Sequence, residues 1–185
     1  MSDRPAVVIG VGNVLLRDDG AGVRMVEELQ AAAQRDPRTL PDGTRLLDGG
    51  TLGADLLREI AGARSLLLLD AVDLDQPAGT VTVLRGDAIL EAASVPGRTP
   101  GCCVTGGVGE LLSMARMVGW LPEPVALVGI QVDDTGFGVG LSERVAAALP
   151  HAVEVARREL RDLDGLGYGD ASPMTWTDEA EGALA

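Results

Sequence analysis

Lysine is absent from the 185-residue sequence: all 15 basic side chains are arginine, standing singly apart from Arg157-Arg158, against 28 acidic residues. With a formal net charge of −13 and no basic patch, binding to nucleic acid or to an anionic membrane is opposed by charge. Cysteine occurs twice, at the adjacent Cys102 and Cys103, which cannot clip a long loop together. That usage fits a reducing compartment, the cytoplasm. Long apolar runs are missing as well. The run that follows the polar residues Met1 to Pro5 is about six residues long, short of the ~7–15 of a signal-peptide core and the ~20 of a membrane span. Histidine occurs once, at His151, and there is neither a Gly-x-Ser-x-Gly turn nor a His-Glu-x-x-His helix. A serine–histidine–acid triad and zinc-helix proteolysis are both excluded.

What is present is enough chain for one domain. At this length a fold buries roughly 70% of the surface its unfolded chain exposes, so a full core forms without disulfides or a structural metal. Ala6 to Val11 is a β-branched run ended by glycine, the pattern of a strand buried on both faces of a parallel sheet. Val23, Val26, Leu29 and Ala33 then share one helical face. A second strand is expected over 44–47, a helix from the Asp48-Gly49-Gly50-Thr51 turn to about Ala63, and an apolar strand from Ser65 to Asp70. Period-two alternation over Gly79 to Leu84 predicts an edge or antiparallel strand. Residues 85–101 read as loop, 107–118 as helix, 125–130 as strand, and Ser142 as the cap of a long helix that Pro150 should kink.

This alternation predicts an α/β fold, a three-layer sandwich with a mostly parallel twisted sheet and helices on both faces. One domain is expected over 1–163. Residues 164–185, acidic and aperiodic, are expected to be a disordered tail. In such sheets the carboxyl ends of the strands form the ligand crevice, which selects the loops after Val11, Leu47, Leu69 and Ile130.

The first of those loops opens like a dinucleotide fingerprint, but Leu15 stands where its third glycine would be, and Asp18 and Asp19 sit where a pyrophosphate would bind. Carboxylates at a helix start are stabilised by its unpaired N–H groups and dipole, which accounts for one of the two. Asp70, after four leucines, leaves the sheet at the same edge, and Asp48 follows the second strand. Acids converging there could ligate a divalent cation, or share a proton in its absence. A cap of the next turn is the other reading of Asp70.

Gly10-x-Gly12-Asn13-x-Leu15-x-x-Asp18-Asp19-Gly20-x-Gly22 resembles the signature of the nickel–iron hydrogenase maturation endopeptidases. The likeness continues through Asp48 to Thr51, Leu66 to Ala71 and Gly79-Thr80, and extends from about Val7 to Leu163. It implies a cytoplasmic protease, a monomer without organic cofactor, that removes a carboxy-terminal extension from the hydrogenase large-subunit precursor after nickel insertion. The nickel belongs to that substrate. By the same resemblance, the acids that meet the metal and serve catalysis are Asp19 and Asp70.

The family's third metal-recognising residue is a histidine, and here the sequence departs from the pattern. Without gaps that position falls on Val104, which cannot ligate; a one-residue shift of the Gly101–Gly107 loop brings Cys103 there, and thiolate is a good donor to later first-row metals. Both cysteines could equally be small apolar fillers. His151 lies in the last helix, away from the motif. The departure leaves open a non-catalytic checkpoint factor that binds the precursor without cutting it.

Overall fold

The computed structural model describes residues 4–94, 99–100, 107–165 and 174–176. Strand β1 (Ala6–Val11) leads through a 3-10 turn at Arg17–Gly20 into helix α1 (Ala21–Arg35), followed by β2 (Thr44–Gly50) and the short helix α2 (Leu57–Ile60). Then come β3 (Ser65–Asp73), β4 (Val81–Arg85), α3 (Asp87–Ala93), β5 (Thr99–Pro100), α4 (Val108–Met117), β6 (Val125–Gln131), α5 (Glu143–Asp164) and β7 (Met174–Trp176).

The sheet order is β2-β1-β3-β6-β4-β7, with β5 pairing β3 off this path. β2, β1, β3 and β6 run parallel, while β4 and β7 join antiparallel. Alternation along each strand divides the core between the two faces. Ala6, Val8, Leu67, Leu69, Ala71, Val128 and Ile130 pack under α1 and α5. Val7, Ile9, Leu66, Leu68, Val72 and Leu127 pack against α4, with Ile60 of α2 and Ile89 of α3. Each buried leucine contributes about 1.5–3 kcal/mol by leaving water, so this double-sided β3 anchors the fold. The expected three-layer α/β sandwich is the one observed.

Several local expectations are corrected. β3 does not stop at Asp70 but continues to Asp73, because Ala71 and Val72 keep pairing with Ile130 and Gln131 of β6. Asp70 is therefore interior to a strand. The helix expected to run to Ala63 shrinks to a 3-10 turn at Gly53–Leu56 and the single turn of α2. Within 85–101, read as loop, Asp87–Ala93 is helical, burying Ile89. Of the two alternatives for β4, edge or antiparallel, the antiparallel one holds; β7 lies on its outer side, Val81 to Val83 pairing with Trp176 to Met174. That strand lies within the stretch expected to be an acidic tail. α5 runs through Pro150 without a break in the helix and carries the Ser142 cap, whose hydroxyl accepts the Val145 N–H.

Among the described residues no helix is long and apolar enough to cross a membrane.

Candidate active site

β1 is flanked by β2 on one side and β3 on the other, so the chain reverses its direction of travel across the sheet between β1 and β3. At such a switch point the loops part and leave a crevice at the carboxyl ends of the strands. The glycine motif builds one wall of it. Gly10 and Gly22 let α1 sit directly on the sheet: a Cβ on Gly22 would lie 2.2 Å from the Leu69 carbonyl oxygen and 2.3 Å from that of Val11. Gly12 has φ +129°, and a Cβ there would lie 1.8 Å from the Asp19 carbonyl oxygen. The close approach therefore draws the Asp19 backbone down onto the end of β1.

Asp18 and Asp19, adjacent in sequence and both fully buried, do different work. One Asp18 oxygen accepts the N–H groups of Asp133 (2.9 Å) and Asp134 (2.8 Å), and the other that of Ser142 (2.6 Å). Burial pushes its pKa upward, but the three backbone donors outweigh that and hold it below the usual carboxylate value. Asp18 is thus a clasp between the loop after β1 and the loop after β6. Backbone bonds reinforce it, from Arg17 N–H to the Gly138 carbonyl (3.1 Å) and from Gly138 N–H to that of Leu15 (3.0 Å). Neither acid caps α1; Gly20 occupies the N-cap position with no side-chain bond.

Asp19 turns the other way. Its Oδ2 accepts the Asn13 N–H at 2.9 Å, tying it to the loop it closes. Its charge reaches Asp70, which is fully buried in β3. Asp70 shares the pleat side of Leu66, Leu68 and Val72, and so faces the α4 layer. Its Oδ1 accepts the N–H of Ala71 at 2.8 Å, while Oδ2 has no hydrogen-bond partner among the described residues. Burial raises the Asp70 pKa well above the ordinary carboxylate value; the Ala71 N–H opposes the rise and the neighbouring Asp19 charge adds to it. Burial and the neighbouring Asp19 charge both favour the neutral form of Asp70. Carboxylate oxygens are the donors a divalent cation takes, and a cation placed here would offset the repulsion between the two acids.

The other sequence candidates separate from this pair. Asp48 is exposed in β2, unlike the buried Asp19 and Asp70, and its Oδ1 accepts the Gly50 N–H at 2.9 Å. His151 belongs to α5, on the face opposite to the one Asp70 points toward. Cys102, Cys103 and Val104 lie outside the described residues. Among the described residues no group of three His, Cys, Asp or Glu side chains could hold a metal ion. Sequence reading missed Asp18 as the clasp between two loops, since its partners are backbone groups more than a hundred residues away.

A family model described as hydrogenase maturation protease matches residues 23–159. The hydrogenase 2 maturation protease of Escherichia coli K12 is 35% identical over 160 residues, 84% of this chain and 90% of that protein. The hydrogenase expression/formation protein HupD of Rhodobacter capsulatus is 35% identical over 156 residues, 84% of this chain and 70% of its own length. Among solved structures, the hydrogenase maturating endopeptidase HybD from E. coli aligns with a TM-score of 0.73 and 28% identity, covering 95% of this chain and 99% of that one.

Proposed function

The chain belongs to the hydrogenase maturation protease family, and from that premise we propose that it is an endopeptidase that trims the carboxy terminus of a nickel–iron hydrogenase large-subunit precursor in the cytoplasm. Cleavage follows nickel insertion because the enzyme reads the metal of its substrate. The observation that carries this reading is the buried Asp19–Asp70 pair at the switch point, with one Asp70 oxygen left without a hydrogen-bond partner among the described residues.

Two neighbouring carboxylates in a dry site cannot both ionise cheaply, and the divalent cation of a loaded precursor relieves that repulsion. Its arrival lets Asp70 give up its proton and ligate through the free oxygen while Asp19 ligates beside it. An empty precursor brings no such gain and is released. Docking on the metal fixes the adjoining backbone near the same carboxylates, so a water molecule is held and oriented against the scissile carbonyl, with the metal or a carboxylate assisting its deprotonation. Cys103, immediately before Val104, is the proposed third donor; retention of nickel-dependent processing in Cys103→Ser would remove it from the site.

Intact-mass spectrometry of the nickel-loaded precursor, the nickel-free precursor and an Asp19→Ala enzyme control tests the proposal. Loss of a carboxy-terminal peptide only with nickel and only with Asp19 is the expected result. A loaded precursor that binds the enzyme but keeps its full mass would overturn the protease reading in favour of a non-catalytic checkpoint.

A further inference from the structure

The rim of the crevice carries large apolar side chains that the fold does not bury. Phe137, the only phenylalanine of the chain, is 91% exposed; Val139 is 77% exposed and Leu15 59%. They come from the two loops that Asp18 clasps together, those after β1 and β6. Their neighbourhood is set by the backbone: Gly138, between Phe137 and Val139, donates its N–H to the Leu15 carbonyl, and its own carbonyl accepts the Arg17 N–H. Asn13, two residues before Leu15, donates its N–H to Asp19, so the apolar rim is covalently and hydrogen-bond continuous with the buried pair.

Three features make this rim a docking surface. The loops are pinned by three charge-assisted bonds to the Asp18 carboxylate, so the side chains are presented on ordered backbone and little entropy is lost on contact. The nearby acids have arginine partners within the chain, Asp134 with Arg17 at 3.4 Å and Asp133 with Arg144 at 3.5 Å, so the charges beside the rim are balanced at its surface. Finally, an exposed aromatic flanked by aliphatic neighbours is the composition of an interface anchor.

We infer that Leu15, Phe137 and Val139 grip an apolar segment of the precursor polypeptide next to its metal. The inference rests on the proposed function, because a macromolecular substrate whose metal reaches Asp19 must pass beside the loop that holds Asp19 in place. The continuity of the rim with the loop that holds Asp19, through the Asn13 N–H, is what selects the polypeptide substrate over a second copy of this chain as the occupant.

Steady-state processing of nickel-loaded precursor by wild type, Phe137→Ser and Leu15→Ser/Phe137→Ser enzymes tests it, with Met117→Ser as the control. Met117 is 80% exposed at the end of α4, the helix that feeds into the start of β6, and so lies at the opposite end of the sheet. The rim variants should raise KM by about fivefold to thirtyfold, the range set by an interface residue whose removal matters, while kcat stays within about twofold of wild type. Met117→Ser should change neither. Unchanged KM in the double variant, with wild type active, overturns the docking inference and leaves the protease reading intact. If wild type binds loaded precursor without cutting it and the double variant no longer binds, the docking surface stands and the protease reading falls. A concentration-dependent dimer in wild type that the double variant abolishes, with KM unmoved, would reassign the rim to self-association.

Discussion

Asp18 and Asp70 are both buried carboxylates, and they respond to pH in opposite directions. Asp18 is held below its unfolded value of 3.8, so the stability it contributes is complete above that value and is lost as pH falls through its lower folded pKa. Asp18→Ala would leave three backbone N–H groups without their acceptor, and we expect a loss of about 3 kcal/mol or more, read by urea denaturation at pH 7. Asp70 is held above its unfolded value of 3.8. The folded state then binds the extra proton, so its contribution declines as pH rises from the unfolded toward the folded pKa, and at neutral pH ionisation favours unfolding. Asp70→Asn keeps an acceptor for the Ala71 N–H and removes the titration. It should raise Tm at pH 7, flatten the pH dependence of Tm above pH 4, and abolish processing. A Tm at pH 7 below wild type would contradict the assignment of Asp70 as a residue kept at a cost to stability.

At the scale of elements, the decisive contact is between α1 and the strands beneath it. Gly22→Ala would place a methyl carbon 2.2 Å from a carbonyl oxygen of β3, and neither partner is a flexible side chain that can step aside. α1 must then lift, taking the 3-10 turn that carries Asp19 with it. We expect at least about 1–3 kcal/mol of destabilisation and a loss of activity that exceeds it, separable by assaying at a temperature where the variant remains folded by circular dichroism. A second tie holds α5 to the sheet. The Arg85 guanidinium of β4 grips the buried Glu159 carboxylate through two parallel bonds, the one from Nε measuring 2.6 Å. Glu159→Ala strands a guanidinium in a largely buried place and should cost about 3–5 kcal/mol, whereas replacing both by apolar residues of similar size should recover much of it.

At the scale of the whole molecule, the sheet is guarded along one side by β7. The partnership of Met174–Trp176 with Val81–Val83 removes the exposed hydrogen-bonding edge that β4 would otherwise present. Truncation after Gly165 should therefore leave catalysis near its full value but increase aggregation, seen as a rising high-mass fraction in size-exclusion chromatography with light scattering. In the same experiment the full chain should elute as a monomer of 19.1 kDa, kept apart by its net charge of −13.

The amino-acid sequence by itself determined the layers of this molecule and marked out the acids of its first loop and third strand. Runs such as Ala6 to Val11 and Ser65 to Leu69 have no polar face, and only a sheet covered on both sides can satisfy them. The glycine spacing around Asp18-Asp19 is likewise a local demand, since α1 cannot approach β1 unless positions 10, 12 and 22 lack side chains. Local pattern was a poorer guide at 51–63 and 85–101, where short apolar stretches carry too few turns for periodicity to separate helix from loop. Tertiary structure alone decided the rest. It made Asp18 a clasp and turned Asp19 toward Asn13 and Asp70, a division between adjacent identical side chains that depends on backbone donors at 133, 134 and 142. It sent Asp48 outward, kept Asp70 inside a strand that β6 and β5 prolong, and settled β4 as an antiparallel strand with β7 on its outer side. The physical reason is the same in each case. A carboxylate's role is set by the donors and charges that surround it, and here those come from chain segments distant in sequence, joined only when the sheet closes.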